Sequence, residues 1–530
     1  MPKKQAYIAT DDQPLFVIKR DVSGGMNNRE HEQVIDDKQA VLLQNITLDT
    51  EGQLSIRAGM TRIDSNYPSA PHIGYGLFGF DPDGGQFELL AVQNGGLDGW
   101  AQSGSFINRM SDLTDGLQTT IIKAGMTGQN DIVLISNGID NVKAMYQDHS
   151  EHDLGNTNTS PPLTTAITYY MNRVWTLLKN SACFSDAFPA DYSVAFNQAV
   201  NAFRIPVGTA QAIIPTRDQG LVFFGSDQVW QLSPSVVPNP TTDFPNVVLR
   251  DIGCVNGYTC VPVADDIIFL AKDGIRGLFR TQLDKLQTGQ SYPLSWPIKT
   301  QFDNINWSQI SKASAVFFQN KYIISVPTGT STYPNEIWVY YPALSTAFYQ
   351  STNQSNIATK SSWVVFEGWN ISKFAKLRLN GQELLYGIDS VTGKVRQLFS
   401  GNTDDGTPIV FDYISKAEDF KAPMQYKYGG ELKVRSEGGN GTLIVYANAD
   451  GQGNVQLGTL DLGISGVTFP TTFPITFSNV EINGTFHLDN AGIIKFKRCR
   501  FEFKCSTSGA IVNIIESVAT CFQEPYLSEG

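Results

Sequence analysis

One unit recurs along the chain: a run of alternating aromatic and β-branched residues, a polar or glycine turn, then a second such run. Seven copies are legible: Phe87 to Trp100, Ile132 to Tyr146, Val174 to Phe184, Leu221 to Leu232, Ile267 to Phe279, Val316 to Val326 and Leu384 to Phe399. Turn pairs such as Asn137-Gly138, Ser226-Asp227, Asp273-Gly274 and Thr392-Gly393 sit at their centres. Successive starts are separated by 45, 42, 47, 46, 49 and 68 residues. Five of these intervals fall in one band. A period of ~40–50 residues with several short strands is that of β-propeller blades, each a small sheet that buries its faces only against its neighbours. A β-sandwich spaces its strands at ~8–12 residues without such a longer period. The 68-residue interval reads as a blade carrying an insertion, with Glu336 to Tyr341 and Trp363 to Trp369 supplying extra strands.

The expected fold is mainly β: a β-propeller of six or seven blades with a smaller C-terminal β-sandwich-like domain. Residues 1–70 read as an N-terminal arm, short helix and hairpin joining the propeller, 71–405 as the propeller, and 406–530 as an antiparallel β domain. Gly401 to Gly406 is the polar linker between the last two. In the C-terminal part, Ile494 and Phe496 share one strand phase while Cys499, Phe501, Phe503 and Cys505 share the other. That predicts a β-bulge at Lys497-Arg498. Two short helices are expected as connectors, Asp36 to Leu43 with Asp36 as N-cap, and Tyr192 to Phe203.

Composition agrees and excludes some functions. The 31 Phe, 20 Tyr and 8 Trp beside 47 Gly and 25 Pro favour strands broken by turns. A net charge of −12 argues against generic nucleic-acid binding, which needs Lys and Arg to displace counterions from phosphates. No apolar run reaches the ~20 residues of a membrane span, and Met1 to Gln5 lacks the apolar stretch of a secretory signal. We therefore expect a chain made and kept in the cytoplasm, without membrane insertion of its own. Its six cysteines (Cys183, Cys254, Cys260, Cys499, Cys505 and Cys521) are expected to be reduced and mostly buried.

Motifs that carry chemistry are weak. Gly387 to Lys394 has five residues between its glycines rather than four, and Val395 stands where a phosphate loop needs Ser or Thr, so it reads as a hairpin turn. Asp148 to Asp153, with His149 and His152, is more simply a solvated loop than a metal site. Asn448 to Asn454 lacks the alternating carboxylates and late Glu of a calcium loop and reads as a glycine-rich turn. No Gly-x-Ser-x-Gly elbow or sialidase-type Ser-x-Asp-x-Gly-x-Thr-Trp box occurs. No catalytic residue, metal or cofactor is expected, and the chain reads as a non-enzyme.

The most distinctive text lies near the start: Gly24-Gly25-Met26-Asn27, then Asn45, then Gly52-Gln53-Leu54 and Arg57-Ala58-Gly59. Physically, Gly24-Gly25 is a sharp turn, and Ile46 to Leu48 pairs with Leu54 to Ile56 as a hairpin through Thr50 to Gly52, which Gly59 ends. In this order the text resembles the opening of the tail nozzle, or tail-stabilisation (tail tubular), proteins of short-tailed bacteriophages. Blade-like phrases such as Asn172 to Trp175, Phe184 to Asp186 and Ile267 to Gly274 agree with that family. The resemblance runs from about residue 22 to 400, with a weaker echo at Tyr413 to Leu432, and singles out Gly24, Gly25, Asn27, Asn45, Gly52, Leu54, Arg57 and Gly59.

That resemblance implies a virion protein: a homo-oligomeric, six-fold ring below the portal and adaptor proteins, in contact with tail fibre or spike proteins. Double-stranded DNA would pass through its channel without specific binding. The alternative is a carbohydrate-active or receptor-binding propeller at the tail tip.

Overall fold

The computed structural model describes residues 14–50, 52–83, 85, 87–125, 131–156, 159–188, 191–216, 220–345, 361–379, 381–463 and 481–523. The chain start Met1 to Gln5 and Glu51 of the expected hairpin turn lie outside them. The protein is mainly β, with 48% of residues in strands and 7% in helices. Among the described residues no helix is long and apolar enough to cross a membrane.

The repeats form a ring of sheets. The innermost strands Gly74–Phe80, Thr120–Ala124, Ile167–Tyr170, Ala210–Thr216, Val261–Val263, Ser314–Phe318 and Ile371–Leu379 touch in that order, and the last packs on the first. Five blades are four-stranded sheets, Val261–Val263, Asp266–Ala271 and Gly274–Gly277 make a three-stranded one, and the blade beginning at Ser314–Phe318 is four strands of a nine-stranded sheet. Within each sheet neighbours pair antiparallel, so a short turn suffices between strands.

Second strands are buried on both faces because each blade is sandwiched between two others. Glu88–Gln93, Ile132–Ser136, Gly220–Gly225 and Lys321–Val326 are buried along their whole length. Alternate residues serve opposite interfaces: Phe223 packs with Trp175 and Leu177 of the preceding blade, and Phe224 with Ile267 and Phe269 of the next. Each buried Phe contributes on the order of 1.5–3 kcal/mol.

The spacing anomaly has a definite origin. Six of the seven hairpins read from the sequence are the second and third strands of their sheets, whereas Val316 to Val326 joins the first and second. Counting from a first strand shortens the interval before it, 49 residues, and lengthens the one after it, 68 residues. The helix Leu278–Thr288, a shorter one at Lys299–Asp303, and three-residue and six-residue 3-10 turns lie before that blade, outside the long interval. Glu336–Tyr340 and Trp363–Glu367 are that blade's third and fourth strands.

The C-terminal part is a two-sheet sandwich, and the N-terminal arm is woven into it. One sheet contains Glu481–His487, Lys427–Glu437, Asn513–Gln523, Leu54–Ile56 and Ile46–Thr47 in that order, with Leu15–Lys19 paired to Asn513–Gln523. The other continues the sixth blade: Trp363–Glu367 pairs in parallel with Leu42–Gln44, followed by Phe411–Ile414, Cys499–Cys505, Thr442–Ala449 and Val455–Asp461. Met60–Arg62 supplies the outer strand of the last blade against Val395–Leu398. N-terminal strands therefore enter both the ring and the sandwich.

Three local expectations are corrected. Asp36 to Leu43 is not helical: Asp36 Oδ1 accepts from the Lys38 amide in a turn, and Gln39–Ala40 and Leu42–Gln44 are strands recruited by partners distant in sequence. Tyr192 to Phe203 is loop and turn ending in the strand Ala202–Arg204, which pairs as the outer strand of the third blade. The phase change at Lys497-Arg498 is no bulge. Phe496 pairs with Lys427 in one sandwich sheet and Cys499 with Ala449 in the other, so the chain crosses between sheets there. The Asp450 carboxylate accepts from both crossing amides, at 3.1 and 2.9 Å.

Candidate functional site

The N-terminal motif converges on two buried knots. In the first, Arg57 leaves the Ile46–Thr47/Leu54–Ile56 hairpin and is only 1% exposed. Its two terminal nitrogens grip the Asp404 carboxylate at 2.9 and 2.6 Å. Nε donates to Asn45 Oδ1 at 2.9 Å, and the remaining two N–H groups reach the carbonyls of Ala58 and Glu367 at 3.1 and 2.8 Å. All five guanidinium donors are thereby used, the condition under which a buried charge is tolerated. Trp369 covers the group, its ring 4.5 Å from the guanidinium carbon, and donates its own N–H to Asp404 at 2.8 Å. Asn45 also donates to the Val410 carbonyl at 2.8 Å. Gly59 is required by close approach: a Cβ there would lie 2.0 Å from the Thr403 carbonyl oxygen.

The second knot holds Gly24, Gly25 and Asn27. Gly25 has φ +72°, and a Cβ on it would meet the Trp363 amide nitrogen at 2.4 Å. Gly25–Met26 pairs in parallel with Gln39–Ala40, and Asn27 Nδ2 donates to Gln39 Oε1 at 2.9 Å. Gly52 turns the hairpin at φ +75°, and buried Leu54 pairs with Ile514. The eight residues thus join the sixth blade, the last blade and the sandwich, and Asn45 lines a cavity beside the first knot.

That cavity, about 510 Å³, lies beside the first knot between Glu367, Asp389, Lys394, Arg396 and Asp405. Arg396 pairs with Asp389 at 2.7 Å and Asp405 at 3.4 Å, so cations offset the carboxylates. Burial raises the Glu367 carboxyl above its usual range. Nearby Asp412 is pushed up to about 6, by burial first, with the Lys504 ammonium at 3.2 Å opposing it.

A second cavity of about 630 Å³ occupies the propeller axis. Gln118, Thr120, Asn137, Thr168, Gln211 and Asn256 face it, and no described lining residue is charged. Tyr258, in the 3-10 turn Gly257–Thr259, reaches across the axis: the Thr120 hydroxyl donates to its oxygen at 3.2 Å, and Lys373 Nζ sits 2.9 Å from its ring centre. Burial holds the Lys373 amine well below its ordinary value, and among the described residues Nζ has no hydrogen-bond partner. The axis is plugged by this tyrosine.

A third cleft, about 450 Å³, lies on the first blade. Tyr67 and Phe106 stack there with ring centres 4.0 Å apart, and Tyr67 donates to Asp98 at 2.8 Å. Burial, then the Asp98 charge, raises the Tyr67 hydroxyl far above its usual value. Asp64 accepts from the Asn66 and Phe106 amides at 2.8 and 3.0 Å.

The minor motifs resolve simply. Gly387 to Lys394 spans a hairpin turn in which Asp389 caps the Val391 and Thr392 amides. Asn448 to Asn454 turns between paired strands. His149 bonds Glu88 at 3.0 Å, and His152 stacks on Tyr192 at 4.0 Å, so these rings are held by neighbours rather than freely solvated. Among the described residues no group of three or more His, Cys, Asp and Glu side chains could hold a metal ion. Asp404, Tyr258 and Lys373 carry no local sequence signal; Asp404 sits in what reads as a polar linker.

No protein-family model matches the sequence, and no curated protein matches it. Solved structures match the chain only at low identity and low TM-score. An ancestral GH74 enzyme is 12% identical with a TM-score of 0.38, covering 68% of this chain and 51% of its own, so the chain spans about half of that protein's length. The AfRom2 CNH domain is 10% identical, TM-score 0.34, covering 64% and 98%. An exo-β-1,3-galactanase from Phanerochaete chrysosporium is 9% identical, TM-score 0.28, covering 88% and 100%. The class defined by the strand pairing is a β-propeller fused to a β-sandwich.

Proposed function

We propose that the chain is a structural subunit of a tail ring of a short-tailed phage, attached below portal and adaptor and forming part of the channel for genome ejection. The observation that carries this reading is where the family-like residues lie: Arg57 grips Asp404, Asn45 holds Arg57 and Gly59 abuts Thr403, which together weld propeller to sandwich. A ring subunit must transmit contacts from one side to another as a rigid wedge, and cyclic assembly needs two different complementary surfaces. With Tyr258 across the propeller axis, a duplex passes between copies, along the ring's symmetry axis, and not through the propeller. The net charge of −12 suits a wall on which DNA slides without binding. Negative-stain imaging of the purified chain is expected to show closed, six-fold rings with a central hole. A monomer at all concentrations, with adaptor present, rejects the reading.

The second reading, a carbohydrate-active or receptor-binding propeller, is favoured by the first-blade cleft, where stacked Tyr67 and Phe106 adjoin Asp64 and Asp98. The GH74 and galactanase structures are glycoside hydrolases in name, but at those scores the likeness adds no weight. Retention of the chain on host polysaccharide, lost in Tyr67→Ala, would establish it in place of the ring.

A further inference from the structure

Cys254 and Cys260 bracket the loop that carries the axial plug. Between them run Val255, Asn256, Gly257, Tyr258 and Thr259. The loop is held from several sides. The Cys254 amide donates to the Gly225 carbonyl at 2.8 Å, and Asn256 Nδ2 donates to the carbonyls of Ile310 and Ala313 at 2.9 and 2.7 Å. Tyr322 donates to the Thr259 carbonyl at 3.0 Å. A Cβ on Gly257 would lie 2.0 Å from the Gln211 carbonyl oxygen, so its backbone abuts the inner strand of the fourth blade.

This packing brings the two sulfurs to 3.3 Å from each other, with Cys254 fully buried and Cys260 7% exposed. A disulfide needs about 2.05 Å, a closure of roughly 1.3 Å. Val255 to Tyr258 and Pro262 line the axial cavity, giving a small oxidant a route to the loop. We propose that Cys254 and Cys260 form a reversible disulfide in the folded protein when it meets hydrogen peroxide, tying the base of the Tyr258 plug into a closed loop.

Cys254 donates its S–H to the Asn256 carbonyl at 3.0 Å and accepts from the Cys260 S–H, so that once Cys254 loses its proton the Cys260 S–H supports the thiolate and Cys254 acts as the nucleophile. Burial opposes ionisation of both thiols; hydrogen bonds, with Cys260 first and then Thr259 and the backbone of Asn256 and Leu270, together bring Cys254 below the ordinary thiol value, while burial and the Cys254 sulfur push Cys260 well above it. The Cys254 thiolate attacks one peroxide oxygen, forming a sulfenic acid and releasing hydroxide, which takes up the proton Cys254 lost. The Cys260 thiol then displaces the sulfenic hydroxyl as water and gives up its proton to it. Two thiols and one peroxide become one disulfide and two waters. The inference stands independently of the tail-ring reading.

The test uses the full chain, purified under reductant, treated with hydrogen peroxide in its folded state and then with catalase, and only afterwards unfolded in N-ethylmaleimide. Trypsin, cutting after Arg250 and Lys272, leaves both cysteines in one peptide, Asp251 to Lys272. The expected peptide is two hydrogens lighter than the dithiol and carries no maleimide, and reductant before labelling restores two maleimides. Cys183, buried against the Ser181 hydroxyl, stays alkylated as internal control. In Cys260→Ser the link is impossible and Cys254 advances to sulfinic acid. Two maleimides on the wild-type peptide after peroxide, or sulfinic acid on either cysteine without a link, overturns the proposal.

Discussion

The propeller and the sandwich solve burial in opposite ways. In the propeller the second strands are covered on both faces, so Gly220–Gly225 and Glu88–Gln93 read as unbroken buried runs assembled from hairpins close in sequence. In the sandwich, Lys427–Glu437 and Asn513–Gln523 alternate buried residues with partly or fully exposed ones, and strands from the N-terminal part of the chain join them. Leu15–Lys19 pairs with Asn513–Gln523, and Leu42–Gln44 with Phe411–Ile414. Local pairing makes blades recur at a legible period. Long-range pairing leaves no period, and it makes the sandwich the part that waits for a complete chain. The Arg57 knot sits where the two meet.

The largest effect should come from separating the regions. A chain ending at Gly401 loses Asp404 and every C-terminal partner of the N-terminal strands, and we expect it to be insoluble or without a cooperative melt. A soluble, cooperatively melting propeller from that truncation would show that the blades are independent of the sandwich.

Next is Arg57→Ala, which strands the Asp404 carboxylate and should cost about 3–5 kcal/mol, read as a lower midpoint in chemical denaturation. Arg57→Lys should recover only part, since one ammonium cannot replace five directed donors. Gly25→Ala tests the second knot: the positive φ and the contact with the Trp363 amide predict a loss of about 1–3 kcal/mol. A loss no larger than that of an exposed glycine such as Gly381 would remove the close approach from the account.

The smallest effect is electrostatic and belongs to the shared sheet. Asp412 is raised from 3.8 to about 6, so the folded state binds its proton more tightly than the unfolded state. The stability this contributes is fully present below about pH 4 and is lost as pH rises through about 6. Discounted for solvent screening, about 1 kcal/mol is expected. Stability measured for Asp412→Asn relative to wild type should therefore rise between pH 4 and 7, and a flat difference would show that Lys504 fully compensates the buried charge.

Much of the architecture was legible because blades are local. The spacing of aromatic runs identified the propeller, and the change of pattern after Phe399 marked a second β region. The reading failed where neighbours along the chain were not neighbours in space. Asp36 to Leu43 has residues compatible with a helix, yet Gln39–Ala40 and Leu42–Gln44 became strands because their backbone groups are satisfied by Gly25–Met26 and Phe411–Ile414. The phase flip at Lys497-Arg498 was real, but one strand's sequence cannot tell a bulge from a change of sheet.

The candidate site divides likewise. Asn45, Arg57 and Gly59 stood out in the text as a motif, while their use depended on Asp404, 347 residues beyond Arg57 in a stretch of polar turns. What the sequence by itself determined is a repeating β unit with hydrophobic faces that can be buried only against copies of itself. Tertiary structure alone decided that N-terminal strands enter both the last blade and the sandwich, that a buried arginine fastens that junction, and that a tyrosine closes the axis. The reason is physical: strand and turn preferences act over a few residues, whereas an ion pair, a sheet edge and a plug need groups brought together from across the whole chain.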